Sequence, residues 1–229
     1  MLKLRPSVAG VAIAALAGLV ASAAALSMGC PPASFDRLKM FLEFNSTDVD
    51  GEIVIDLKTD TGLKNLEVRG PDGRKRVIKL ESNDSNGIGL AEVFLESGEP
   101  NLELSLGSYP VGVYQFSGKD SDGTRYCGEV FLNHDLLAPP VFSPSNGEEV
   151  DPDQVTVEWV PVDGAISYFV EVENDELGSK FAVTVPSTVT SLDVSPQFFE
   201  AGTEYEIGVR AIAANGNVTV SESDFVTES

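Results

Sequence analysis

Residues Val155–Val172 read VTVEWVPVDGAISYFVEV, and Thr190–Asn217 read TSLDVSPQFFEAGTEYEIGVRAIAANGN. Val155, Val157 and Trp159 alternate with polar neighbours. After a short turn, Tyr168, Val170 and Val172 repeat the same period of two. Successive side chains of a strand point to opposite faces, so each run buries one face against a second layer. Gly202-Thr203-Glu204-Tyr205 then leads into a further alternating run through Ile207, Val209 and Ala211. An aromatic side chain in such a strand fills the gap between two sheets and needs only its polar tip satisfied. Trp159, Tyr168 and Tyr205 are therefore expected in a structural core, not in a catalytic site.

This pattern resembles the fibronectin type III family over about 90 residues. Trp159 matches the core tryptophan of that family's second strand, Tyr168 and Val170 the inward positions of the third, and Tyr205 the tyrosine of the late-strand corner. Leu192 and Phe198 are expected to close the core beneath them. The segment Pro140-Val141-Phe142-Ser143-Pro144-Ser145-Asn146-Gly147-Glu148 resembles the opening strand and turn of bacterial members. The resemblance implies a β-sandwich that builds surfaces and spacers. An integrin-binding Arg-Gly-Asp loop is not present, because Arg69-Gly70-Pro71-Asp72 interrupts that order.

Upstream, Leu136-Leu137-Ala138-Pro139-Pro140 marks a boundary, since consecutive prolines donate no ladder hydrogen bonds and favour a stiff, extended connection. Before it, strands are expected at 38–44, 52–57, 66–69, 76–80, 90–95, 102–106, 113–117 and 124–132, with turns such as Pro71-Asp72-Gly73 between them. About eight short strands in roughly 100 residues imply an immunoglobulin-like sandwich. This half also resembles an uncharacterised sandwich that secreted bacterial proteins pair with a fibronectin type III domain, a family with no activity to carry over. The expected fold is all-β, two tandem sandwiches after an N-terminal signal segment: a signal peptide over 1–29, an Ig-like domain over 30–137 and a fibronectin type III domain over 138–229.

Lys3 and Arg5 precede an apolar run from Val8 to Val20, and Ala23 and Ala25 fit an A-x-A cleavage rule, which is the layout of a secretory signal peptide. An uncleaved membrane anchor is the alternative. The chain's two cysteines, Cys30 and Cys127, allow two fates. Leu26-Ser27-Met28-Gly29-Cys30 resembles a bacterial lipobox, with Ser27 where the pattern wants leucine, and would make Cys30 a lipidation site. A Cys30–Cys127 disulfide is the other fate, favoured by an even count in an oxidising compartment and worth about 2–4 kcal/mol.

Of the 229 residues, 36 are acidic and 15 basic, a formal net charge of −21. From Ala138 onward 17 acidic residues face only Lys180 and Arg210. Such charge repels polyanions, so nucleic acid is excluded as a partner, and it reads as a solvated surface. The acidic turns at Ser46, Asp48, Asp50 and Gly51 and at Gly118, Asp120, Asp122, Gly123 and Glu129 each lack one ligand of a calcium loop and are read as β-turns. His134 has no second histidine with which to build a zinc site and is read as structural. Arg74-Lys75-Arg76 is read as a solvated hairpin tip, and the sequons at Asn45, Asn83 and Asn217 as incidental. No catalytic, cofactor or metal residue is assigned. The expected role is a non-catalytic, exported binding or spacer protein, periplasmic or on the cell surface. Its partner would be a protein or glycan of the envelope, and it would meet membrane only through lipid on Cys30 or an uncleaved signal. A lipoprotein acylated on Cys30 and a small hydrolase or its accessory subunit are the alternatives.

Overall fold

A computed structural model describes residues 33–73, 75–82, 88–99 and 101–229. The signal segment, Cys30, Arg74 and the Asn83 sequon lie outside the described residues. The N-terminal half contains β1 (Arg37–Asn45), β2 (Asp50–Arg69), β3 (Arg76–Glu81), β4 (Leu90–Glu96), α1 (Leu102–Ser108), β5 (Gly112–Asp120) and β6 (Arg125–Leu132). Its core is the inward set of these strands: Met40 and Leu42, then Ile53, Ile55 and Leu57, then Leu63, Leu66 and Val68, with Tyr114, Phe116 and Leu132 opposite. The 20-residue β2 serves both layers. Its first part pairs with β1 and β4, and after register shifts between Lys58 and Asn65 its second part pairs with β3 and β5. Such irregularities bend a strand and increase its twist, which lets one strand pass from one sheet to the other.

The expected strand at 102–106 is corrected: Leu102–Ser108 is an α-helix. The Asn101 side chain caps it by accepting from the Leu104 amide at 3.1 Å. Leu102 and Leu106, four residues apart, lie on one face and pack on the core, while the buried Ser105 hydroxyl donates to the Gly51 carbonyl. Leu-x-Leu-x-Leu alternates by two as well as recurring by four, and seven residues are too few for the helical period to show. Gly51 makes the docking feasible, because a Cβ there would stand 2.8 Å from Leu102 Cδ1.

The C-terminal half contains β7 (Phe142–Ser143), β8 (Glu148–Val150), β9 (Thr156–Trp159), β10 (Ala165–Asn174), β11 (Ser179–Pro186), β12 (Ser191–Asp193), β13 (Glu204–Ala213) and β14 (Val218–Thr227). One sheet orders β12-β9-β7, and the facing one orders β11-β10-β13-β14. The first strand of this half is divided between them: β7 pairs antiparallel with β9, whereas β8 pairs parallel with β14. Between the sheets lie Val155, Val157 and Trp159 from β9 and its approach, Tyr168, Val170 and Val172 from β10, Tyr205, Ile207 and Val209 from β13, and Phe225 from β14.

The two halves share a sheet. The end of β1 pairs parallel with the start of β14, Glu43 opposite Val218 and Asn45 opposite Val220, so the order runs β11-β10-β13-β14-β1-β2-β5-β6 without a break. Asn217 locks this seam. It is 2% exposed; its Oδ1 accepts from the Leu42 amide at 3.0 Å, and its Nδ2 donates to the carbonyls of Asn133 and Asp135 at 3.1 and 3.0 Å. The sequon asparagine is thus an internal cross-brace. In the connection, Leu136 packs on the first core and the adjacent Leu137 on the second, while the Leu137 carbonyl accepts from Thr219 Oγ1 at 3.1 Å. In the β1–β2 turn, Val49 has φ of 61°, a left-handed conformation that a β-branched side chain resists.

Two substitutions test this account. Asn217→Leu leaves the Leu42 amide and the Asp135 carbonyl without their partner in a buried place, and urea denaturation is expected to show a loss of about 2–4 kcal/mol. Val49→Gly relieves the left-handed strain at an exposed position, and the same measurement is expected to show a gain of up to about 1 kcal/mol. No change in either variant would contradict the assigned role.

Candidate functional site

The aromatic residues singled out in the sequence form a frame, not a reactive centre. Trp159, Tyr168 and Tyr205 are 4%, 0% and 1% exposed. Trp159 meets Tyr168 edge-on at 5.4 Å, and Tyr205 lies between Phe199 at 5.0 Å and Phe225 at 5.8 Å. The two tyrosine hydroxyls are used internally, Tyr168 Oη accepting from the Val162 amide at 2.7 Å and Tyr205 Oη from the Glu200 amide at 2.9 Å, whereas the buried Trp159 Nε1 has no hydrogen-bond partner. Leu192 and Phe198 pack against this cluster.

Other candidates are scattered. Cys127 is half-buried on β6, and Cys30 lies outside the described residues. His134 Nε2 donates to the Tyr109 carbonyl at 2.8 Å, tying the connection to the residue that follows α1. Asp120 serves its own turn, its Oδ1 accepting from the amides of Asp122 and Thr124 at 2.9 Å each. Asp48 accepts from Asn45 Nδ2 at 3.2 Å within the β1–β2 turn. Exposed Lys75 sits in the turn before β3, where its amide donates to Asp72 Oδ1 at 3.0 Å.

Charge converges at the seam instead. A cavity of about 320 Å³ opens there, lined by Glu43, Asn45, Asp48, Asp50, Glu52, Glu96, Glu99, Arg210 and Glu222. Strand register explains the gathering: Glu43 stands directly opposite Glu52, and Arg210 pairs with Val220 beside Glu222. The Arg210 guanidinium reaches carboxylates of both halves, 3.8 Å from Glu43, 3.6 Å from Glu171 and 3.8 Å from Glu222. It also stacks 5.4 Å over the Phe169 ring. Asn45 Nδ2 donates to Glu222 at 2.7 Å. Further along the same face, Glu206 stands opposite both Glu173 and Asp224, and Lys180 holds Glu171 and Glu173 at 2.8 and 2.9 Å.

One guanidinium for so many carboxylates favours bound protons. Burial first, and then the neighbouring Glu96, Glu43, Glu99 and Asp50, push the Glu52 carboxyl up to about 7. Burial raises Glu43 as well, with Arg210 opposing the shift, and burial followed by Glu222 and Glu173 raises Glu206. The Ser46 hydroxyl at the seam is committed to the Val220 carbonyl at 2.7 Å and to Ser221 Oγ at 2.8 Å. The arrangement therefore gathers carboxylates where burial and like charge favour their protonated form. Sequence reasoning missed it because its members come from five strands; the one available signal was that Arg210 is one of only two cations after Ala138. A second cavity, of about 380 Å³, opens between β3 and β4 over Ile53, Ile55, Leu80 and Tyr109.

Among solved structures, the FN1-FN3 domains of chicken CNTN1 are similar at 14% identity, over 87% of this chain and 65% of that one, with a TM-score of 0.38. A two-domain fibronectin type III segment of chicken tenascin is 12% identical over 85% of this chain and 99% of that one, with a TM-score of 0.32. A 1.5-MDa bacterial ice-binding adhesin is 11% identical over 87% of this chain and 67% of that one, with a TM-score of 0.30. The chain thus spans just under two thirds of the CNTN1 segment. No curated protein matches the chain. The family model for the fibronectin type III domain matches residues 142–227, the stretch from β7 to the end of β14. Residues 142–227 are a fibronectin type III domain.

Proposed function

We propose that this chain is a non-catalytic binding or spacer module of the cell envelope. In this reading residues 1–29 direct export, the Ig-like half over 30–137 and the fibronectin type III half over 138–229 work as one stiff piece, and the partner is a protein or glycan. The observation that supports it best is the shared sheet: a seam of parallel pairing, braced by Asn217, holds the loops of both halves at a fixed separation. A surface presented without hinge motion loses less freedom on binding, which is the physical advantage of preorganisation. The net charge of −21 argues against nucleic acid. Among the described residues no helix is long and apolar enough to cross a membrane.

For Cys30, a disulfide to Cys127 is favoured over acylation by one contact. Ala33, three residues after Cys30 in the sequence, forms a parallel bridge with Tyr126, the residue before Cys127. A bridge there would fasten the entry of the chain to β6.

Two measurements test this reading. The intact mass of the mature, non-reduced protein is expected to match cleavage near Ala25 and the loss of two hydrogens; a diacylglycerol adduct on Cys30 would overturn the disulfide. Crosslinking on intact cells is expected to capture an envelope protein or glycan on the loops or sheet face, and capture of cytoplasmic proteins alone would rule out export.

A further inference from the structure

The fold guards most of its strand edges and leaves one open. Sheets blunt an unpaired edge with charge, proline, short length or a covering segment. Among the described residues, β3 carries Arg76, Lys79 and Glu81, and β4 carries Glu92 and Glu96. β6 carries Arg125 and Glu129 and is met by Ala33 at Tyr126. The strands β7, β8 and β12 have only two or three residues each, and the edge of β14 is taken by β1 and β8. β11 is different. It pairs with β10 alone, and from Ser179 to Val185 no backbone hydrogen bond of a described residue reaches its other side.

Lys180 and Pro186 stand near the two ends of β11 and frame the window Phe181-Ala182-Val183-Thr184-Val185. Its β-branched and aromatic side chains suit strand pairing. No charged residue occurs from Phe181 to Leu192, although this half of the chain holds 17 acidic residues. Ala182 and Thr184 are exposed on one face of the strand, and Phe181, Val183 and Val185 on the other are only half-buried. A strand added here would satisfy the outward backbone groups and cover these three apolar side chains.

The chain's own charge selects the occupant and its direction. A net charge of −21 sets two copies against each other over most of their surfaces, so the uncharged edge is where they meet at least cost. The turn before β11 holds Asp175 and Glu176. Parallel pairing of two such edges would bring these acids side by side, whereas antiparallel pairing puts them at opposite ends of the ladder. Centred on Val183, an antiparallel ladder is self-complementary. Phe181 stands opposite the second copy's Val185, Ala182 opposite its Thr184 and Lys180 opposite its Pro186, so no like charges face each other.

We propose that β11 is a self-association edge, on which a second copy of this chain docks antiparallel through Phe181–Val185 and joins the two large sheets. The ladder is neutral and the surroundings repel, so added salt strengthens the pair, whereas an interface held by ion pairs would weaken. This inference is independent of which envelope partner the module binds.

Sedimentation equilibrium on the full chain tests it. A monomer–dimer equilibrium with a Kd on the order of 100 µM is expected, tightening about threefold or more between about 0.05 and 0.5 M sodium chloride. Joint Ala182→Lys and Thr184→Lys substitution, at two exposed positions, sets lysine opposite lysine twice and is expected to weaken the dimer at least about tenfold. Amide exchange on the unaltered chain gives a readout that needs no variant. Outward amides of Phe181–Val185 are expected to gain protection as concentration rises, while those of the β5–β6 hairpin stay constant. A chain that remains monomeric throughout, a dimer that salt dissociates, one that the double variant forms equally well, or protection gained away from β11 would overturn the proposal.

Discussion

The outer edge of β14 is the constraint on which the rest of the structure depends. An unpaired sheet edge is a row of unsatisfied donors and acceptors that invites foreign strands. Here β1 takes the beginning of the edge and β8 its end, both parallel to it. Between them the Ser46 amide meets the Val220 carbonyl, Thr47 Oγ1 accepts from the Glu222 amide at 2.8 Å, and the Gly147 amide meets the Asp224 carbonyl at 2.7 Å. The C-terminal sandwich thus closes its edge with a strand of the N-terminal one. Each half completes the other's hydrogen bonding, and their mutual orientation follows from backbone geometry more than from side-chain contact.

What could be read from the chain divides along contact range. The β9, β10 and β13 strands showed themselves by alternation, because a strand's face is a local property of its own residues. The β1–β14 pairing joins Glu43 to Val218, and no local pattern announces which edge will accept which strand. Asn217 illustrates the same limit: in sequence it reads as part of an incidental sequon, and in the fold it is a buried brace between elements far apart in the chain. The helix at Leu102–Ser108 was hidden for a different reason, since its leucines satisfy two periodicities at once.

The acidity of the chain is also less uniform in meaning than its composition suggests. Many carboxylates are solvated, yet Glu171 is 9% exposed and held by Lys180 and Arg210. Placing both cations of the C-terminal half on one sheet face concentrates its electrostatic structure there. Arg210 adds packing against Phe169 to its charge, so a lysine in that place would keep the sign and lose the planar stacking.

The parallel sense of β1 and β14 has a mechanical side. The first described strand of the chain and the last lie next to each other and point the same way. Tension applied between the two ends of residues 33–229 would draw them in opposite directions along their length. The bonds between them would then be loaded together, in shear, instead of being opened one after another as in the peeling of a hairpin. In a segment fixed at one end and pulled at the other, that load would be shared among the bonds of Glu43–Asn45 and Val218–Val220, where the two strands meet.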